Sequence, residues 1–261
     1  MKLIDSHCHL DDEQFDGDRE ETIARARAAG VETMLAIGTG DGPPDLEPAV
    51  RLAEQYSFIY ATVGVHPHYA AKATEEAFTR LRALADHSKV QAIGEIGLDY
   101  HYDFSPRDVQ RQVFEKQLAI AAEAGKPVVI HTREAWEDTI EILRAHWRGE
   151  GIMHCFTGDK QQARQALDLG FHLAFGGVLT FPKADAVWQA ARITPADRLL
   201  VETDSPYLAP VPRRGKRNEP AFLVHTVERL AEVRGVAAEQ IAEQTSANFE
   251  RLCLRAWAGN G

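Results

Sequence analysis

The stretch PRDVQRQVFEKQLAIAAEAGKPVVIHTREAWEDTIEILRAHW, residues 106–147, carries one full repeat of the pattern that sets the fold. Residues 106–125 have helical composition and period and stop at Gly125, in the place of a helix C-cap. PVVIHT (127–132) is a short apolar run between turn residues, and the helical pattern resumes at EAWEDTIEILRAHW (134–147). The alternation extends both ways along the chain. The other apolar runs are KLIDSHCH (2–9), TMLAIGTG (33–40), IYATVGVHP (59–67), VQAIGEIGLD (90–99), GIMHCFTG (151–158), HLAFGGVL (172–179) and LLVETDSP (199–206). Helical segments such as REETIARARAAG (19–30) and KQQARQALDLG (160–170) lie between them, ending at Gly30 and Gly170. Eight strand–helix units in 261 residues match a closed (β/α)8 barrel, typically about 250 residues, better than an open doubly wound sheet. The expected architecture is α/β: one TIM-type barrel domain over 1–261, closed by helices in EPAFLVHTVERLAEV (219–233) and EQIAEQTSANFERLCLRAW (239–257).

Composition narrows the function. With 44% hydrophobic residues the chain can fill one large core. Twenty-nine basic against thirty-nine acidic side chains leave a net charge of −10, which argues against holding nucleic acid by an overall positive field. Any phosphate contact must be local. Three cysteines, Cys8, Cys155 and Cys253, show no C-x-x-C spacing, which suits a reducing cytosol. The chain enters its first apolar run without a cationic segment or cleavage pattern, and no run reaches membrane-spanning length. A cytoplasmic protein with no membrane contact and no obligate protein partner is expected.

Polar side chains that a buried strand should avoid stand at the C-terminal ends of five runs: His7 and His9, Glu95, His131, His154 and Asp204. In a strand, His7 and His9 share a face while Cys8 points away. In a parallel barrel all strand C-termini meet at one mouth, so the six would approach one another in space. Each alone has an ordinary structural reading, as a carbonyl cap, an ion pair or a turn initiator. Six at one topological position do not, because uncompensated charge there is costly unless a cation offsets it. Four imidazoles and two carboxylates suit Zn²⁺, Mn²⁺ or Mg²⁺ and are too many for one tetrahedral ion. Two divalent ions per chain are expected, with Glu95 bridging, His7, His9 and Asp204 on one, and His131 and His154 on the other. Ions about 3.5 to 4 Å apart can hold a hydroxide at neutral pH and stabilise a displaced oxyanion, which is the chemistry of hydrolysis. Asp204 would orient that nucleophile and accept its proton. Cys8 and Cys155 are expected against the helical layer, and Glu202 either behind the site or in a buried structural pair.

These motifs, in order IDSHCHLD (4–11), VGVHPH (63–68), IGEIGLDY (93–100), PVVIHTREA (127–135), HCFTG (154–158), GGVLTF (176–181), ETDSPYLAPVPRRGKRNEP (202–220) and NFERL (248–252), resemble the TatD family of metal-dependent deoxyribonucleases, within the amidohydrolase-like barrels. The resemblance implies the same barrel and the same six ligands. It places a glutamate, here Glu95, where related amidohydrolases commonly carry a carboxylated lysine. It further implies hydrolysis of phosphodiester bonds in DNA, with trimming of single-stranded ends and RNA as a substrate of some members. Arg213, Arg214, Lys216 and Arg217 form a local basic patch beside Asp204. Among substrate contacts, His66 in GVHP, Arg133 after His131, Arg214 and Arg217 are the candidates, and Tyr100, Tyr102, Phe156, Phe181 and Tyr207 could stack bases. Cys253 departs from the Phe more usual in the closing motif. Loops set specificity on this fold, so an amide, ester or phosphorylated metabolite remains an alternative substrate, and a non-catalytic scaffold a third reading.

Overall fold

The computed structural model describes residues 1–254; Arg255, Ala256 and Trp257, at the end of the expected closing helix, lie outside the described residues. Strands and helices alternate as β1 (Leu3–Cys8), α1 (Arg19–Ala28), β2 (Val31–Ala36), α2 (Pro48–Gln55), β3 (Ile59–Val63), α3 (Glu75–Ala85), β4 (Val90–Asp99), α4 (Arg107–Ala124), β5 (Val128–Arg133), α5 (Trp136–His146), β6 (Gly151–Met153), α6 (Lys160–Asp168), β7 (Phe171–Phe175), α7 (Asp185–Ile193) and β8 (Leu199–Val201). Two further helices, α8 (Leu223–Arg234) and α9 (Ala238–Cys253), complete the described chain. All eight strands are parallel and neighbour one another in chain order.

The two ends of the sheet meet just beyond β8. Ser6 Oγ donates to the Val201 carbonyl at 3.0 Å, and Cys8 and Ser205 form a parallel bridge. The Asp204 N–H donates to the His7 carbonyl at 2.9 Å, and the His9 N–H to the Ser205 carbonyl at 2.7 Å. Below them the buried Asp5 carboxylate accepts from the Thr203 N–H at 2.9 Å and the Thr203 hydroxyl at 2.5 Å. The seam is therefore made by polar groups, and a (β/α)8 barrel results.

Strand alternation divides the core in two. Ile4, Leu35, Ala92, Val129, Ile152, Ala174 and Leu200 form the inward layer, capped by Phe249, Leu252 and Cys253 of α9. The outward residues pack against the helices in a second, larger cluster that includes Leu3, Met34, Ile59, Ile93, Phe114 and Leu143. Helix α9 plugs the N-terminal end, where Asn248 Nδ2 donates to the Ala196 and Leu199 carbonyls at 2.8 and 2.9 Å. Several strands end before the runs that contain them do, β7 and β8 among them. HLAFGGVL leaves the sheet after Phe175 because Gly177 lies against the Leu208 carbonyl, 2.0 Å from where a Cβ would stand, in a short 3-10 turn over Gly177–Thr180. LLVETDSP leaves it after Val201, and Asp204 adopts a left-handed φ of 56°.

Helix α4 holds two mouth segments in place. Gln110 and Gln117 are buried and seven residues apart, so they share a face. Gln117 accepts from the Val65 N–H at 2.7 Å and donates to the Val65 carbonyl at 3.0 Å. Gln110 does the same for Asp99, at 2.8 and 3.0 Å. Each side-chain amide thus replaces a missing strand neighbour. Replacing Gln117 by Leu strands two buried backbone groups, and the expected loss is about 2–4 kcal/mol, read from the urea midpoint at unchanged slope.

His172 on β7 is one buried group that contributes acid sensitivity to the fold. It is fully buried, with both ring nitrogens unpartnered among the described residues. Burial pushes its imidazole down to about 4 from an ordinary 6.5. Between those values the unfolded chain takes up a proton that the folded chain refuses. Its contribution is complete above pH 6.5 and is lost as the pH falls toward 4, by up to about 3 kcal/mol. In urea titrations from pH 7 to 4.5, His172→Leu should flatten the decline of the midpoint; a slope as steep as that of the parent would assign the sensitivity to another group.

Candidate metal centre

The six predicted ligand residues come together at the mouth. His7 lies in β1 and His9 just past it, and their Nε2 atoms are 3.2 Å apart. Glu95, in β4 and almost fully buried, stands between two sets of imidazoles. Its Oε2 faces His7 Nε2 at 3.5 Å and His9 Nε2 at 3.8 Å. Its Oε1 lies 2.6 Å from His131 Nδ1 and 2.8 Å from His154 Nε2. Asp204 Oδ1 is 3.5 Å from both His7 Nε2 and His9 Nε2. The His7 and His154 rings stack with centroids 3.9 Å apart, which packs the two sets tightly.

The donor set fits divalent cations. Neutral imidazoles whose nitrogens approach within 3.2 Å set a lone pair against a lone pair unless a proton or a cation lies between them. His7, His9 and Glu95 offer three ligand atoms within 4.8 Å of one another, and the side chains of His66, Glu95 and His131 lie as close together. Burial would raise the Glu95 carboxyl, yet the imidazoles of His154, His66 and His131 hold it well below the ordinary carboxylate range. Burial likewise opposes charge on His9, but Asp204 and Glu95 bring its imidazole up to about 9. The site is a field in which positive charge is stabilised.

His66 joins this group in a different way. Its Nδ1 accepts the His68 N–H at 3.2 Å, so the neutral ring carries its proton on Nε2, which faces Glu95 Oε1 at 3.6 Å. Burial pushes the His66 imidazole down to about 4, which keeps the ring neutral. It presents a donor rather than a ligand atom.

Asp99 is the member that the strand-end reading passed over. It shares parity with Glu95 on β4, in the quoted IGEIGLDY, and that alternation was the available signal. Its buried Oδ2 lies 3.1 Å from His131 Nε2 and 2.9 Å from His68 Nε2, while Oδ1 accepts the His101 and Tyr102 N–H groups. Glu202 lies behind His154: its Oε1 accepts the Cys155 N–H at 2.5 Å and sits 3.4 Å from His154 Nδ1. Cys8 faces the helical layer as expected. Cys155 does not. It lies past the end of β6 at φ 43°, where alternation no longer holds, and lines a cavity of about 540 Å³ with Arg133, Trp136 and Phe156.

The basic residues divide. The Arg133 guanidinium sits 4.7 Å from the Tyr102 ring centroid, and Arg214 lies 3.8 Å from that of Phe181. Arg217 is not free: its fork grips Asp18 at 2.7 and 2.8 Å and donates to the Gln14 carbonyl at 2.6 Å. That guanidinium ties the β8 loop to the start of α1, because Asp18 offers it two acceptor oxygens in matching geometry. Tyr100 and Tyr207 likewise spend their hydroxyls on Asp138 and Asp12, at 2.6 and 2.9 Å.

Comparison with known proteins agrees with this geometry. The family profile "TatD related DNase" matches residues 4–253. An uncharacterized metal-dependent hydrolase of Bacillus subtilis, YabD, is 45% identical over 96% of this chain and 98% of its own. A protein of Cronobacter sakazakii named 3'-5' ssDNA/RNA exonuclease TatD is 40% identical over 97% of this chain and 98% of its own. The crystal structure of YJJV, a TatD homologue from Escherichia coli, superposes with a TM-score of 0.89 at 31% identity, covering 97% of this chain and 98% of that one. Sequence, fold and donor set thus converge, and the chain belongs to the TatD family of metal-dependent hydrolases.

Proposed function

We propose that this protein hydrolyses phosphodiester bonds of DNA, trimming single-stranded ends, with single-stranded RNA as a second substrate. The observation that carries the reading is the division of Glu95, whose two oxygens face separate imidazole sets. That arrangement supports a centre for two divalent ions, Mg²⁺, Mn²⁺ or Zn²⁺, with Glu95 shared, His7, His9 and Asp204 on one side, and His131 and His154 on the other. Such ions, when bound, supply a nucleophile at neutral pH and offset charge developing on phosphoryl oxygens.

The chain's own residues then divide the remaining work. Asp204, at the lip of the site, orients the attacking water and accepts its proton on a carboxylate oxygen. The His66 Nε2–H donates to a non-bridging phosphate oxygen, a role its fixed tautomer suits. Arg133 and Arg214 hold neighbouring phosphates, and Arg217 keeps the β8 loop in position through Asp18. The name of the Cronobacter relative supports the substrate class. Three free cysteines suit a cytosolic setting, and no helix of the described residues is long and apolar enough to cross a membrane.

The test is hydrolysis of end-labelled single-stranded DNA by chelator-treated protein given back each metal. Shortening should return with metal and fall by about 100-fold or more in His7→Ala and Glu95→Ala. Full cutting by the chelated protein, or by Glu95→Ala, would overturn the reading. Metal-loaded protein that leaves DNA intact would point instead to a small ester or phosphate.

Asp99 gives a separate prediction. Its carboxylate steadies the His131 ring from the side opposite Glu95, as outer partners of metal-binding histidines do. Asp99→Asn is expected to weaken metal affinity about 10- to 100-fold, measured by chelator competition, with an unchanged circular dichroism spectrum. Unchanged affinity would remove Asp99 from the site.

A further inference from the structure

The loop after β4 carries a surface that the centre does not use. Tyr102 and Phe104 stack with ring centroids 5.2 Å apart and planes 10° from parallel. The Arg133 guanidinium stands 4.7 Å from the Tyr102 centroid, and His68 meets the Tyr102 and Phe104 rings edge-on at 5.4 and 4.9 Å. Phe104 is 65% exposed, the most exposed large apolar side chain among the described residues, and Tyr102 is 47% exposed. A lone exposed apolar residue is ordinary. An ordered group of a cation and two flat rings, held from below by an imidazole, is a built feature.

Its place relative to the centre is defined by one carboxylate. Asp99 Oδ2 touches His68 Nε2 at 2.9 Å and His131 Nε2 at 3.1 Å, so two residues, His68 and Asp99, link the rings to a candidate metal ligand. The acids beside them are already paired. Asp103, between the two aromatics, is held by Arg107 at 2.9 and 2.8 Å, and Glu134 by His101 at 2.7 Å. On a protein of net charge −10, this stretch of the mouth does not repel a polyanion through unpaired carboxylates of its own.

We propose that Tyr102, Phe104 and Arg133 form a stacking subsite for an unpaired nucleobase next to the phosphate that is cut, which selects single-stranded nucleic acid over duplex. This rests on the phosphodiesterase reading above. Every base offers a π-face, so such a platform tolerates any sequence. A base inside a duplex has both faces covered by its neighbours, and only a single strand or a frayed end has one to give. Arg133 adds a cation over the stack and a fork for the adjoining phosphate.

The experiment measures fluorescence anisotropy of metal-loaded protein with a labelled phosphorothioate oligothymidylate, which resists cutting. A chain of abasic tetrahydrofuran units of equal length and a blunt duplex serve as comparisons. The parent protein should bind the base-bearing strand most tightly. Phe104→Ala should weaken that binding about 5- to 100-fold and leave the abasic chain unaffected. Phe104→Trp should restore it and Phe104→Leu should not, because leucine is apolar without a flat face. The side chain is exposed, so neither folding nor the centre is at risk. Equal binding by Leu and Phe, equal loss on the abasic chain, or no preference of the parent for bases would each overturn the subsite. Binding through Phe104 by a metal-loaded protein that leaves ordinary end-labelled single-stranded DNA intact would overturn the phosphodiesterase reading and leave the subsite standing; cutting of that DNA, with oligothymidylate binding that does not depend on Phe104, would do the reverse.

Discussion

The hydrogen-bonded seam between β1 and the segment after β8 is the constraint on which the rest of the molecule depends. The His7 carbonyl takes the Asp204 N–H, and the His9 N–H reaches the Ser205 carbonyl. These two bonds join the first and last polar motifs of the chain, almost two hundred residues apart, and close the sheet at the level of the site. Asp5 and Thr203 brace the same seam from beneath. A buried carboxylate is costly in a core; this one accepts three hydrogen bonds, two from Thr203 and one from the His7 N–H, which offset part of that cost, and burial still pushes its carboxyl up to about 7.

Closure in turn dictates the electrostatics of the mouth. Glu95, Asp99, Glu202 and Asp204 are all buried or nearly so, and each faces at least one imidazole. Interleaved acids and bases hold one another in place, so no member can leave without exposing a partner to the same desolvation. This explains how the polar cluster coexists with an apolar barrel interior directly beneath it. The helical layer contributes through α4, whose two glutamine amides fasten the ends of β3 and β4 where no strand neighbour remains. Those ends carry His66 and Asp99, one a donor toward Glu95 and the other a support for His131.

The arginines show why the type of residue alone is a poor guide to role. Arg133, Arg214 and Arg217 all lie in or near mouth loops. Arg217 is consumed by Asp18, a partner more than a hundred and ninety residues away in sequence. Arg133 and Arg214 rest on aromatic rings, and both are exposed. Both arrangements satisfy a guanidinium, and only the position of an acid from another element decides between them.

Much of this protein was legible in its sequence because two periodicities are local properties. Helical repeats and short apolar runs announced eight βα units, and a parallel barrel has one mouth, so polar residues at the ends of runs had to meet there. That logic reached His7, His9, Glu95, His131, His154 and Asp204. It missed Asp99, one alternation further along β4, since nothing local distinguishes an acid that supports a histidine from one that begins a turn. It misplaced Cys155, because past the last strand residue the backbone turns left-handed and alternation ceases. The lengths of β7 and β8, the pairing of Arg217 and the stack of Tyr102 on Phe104 were decided only by tertiary contact. Each depends on what a distant segment brings to within hydrogen-bond or van der Waals reach, and periodicity along a chain holds no information about that.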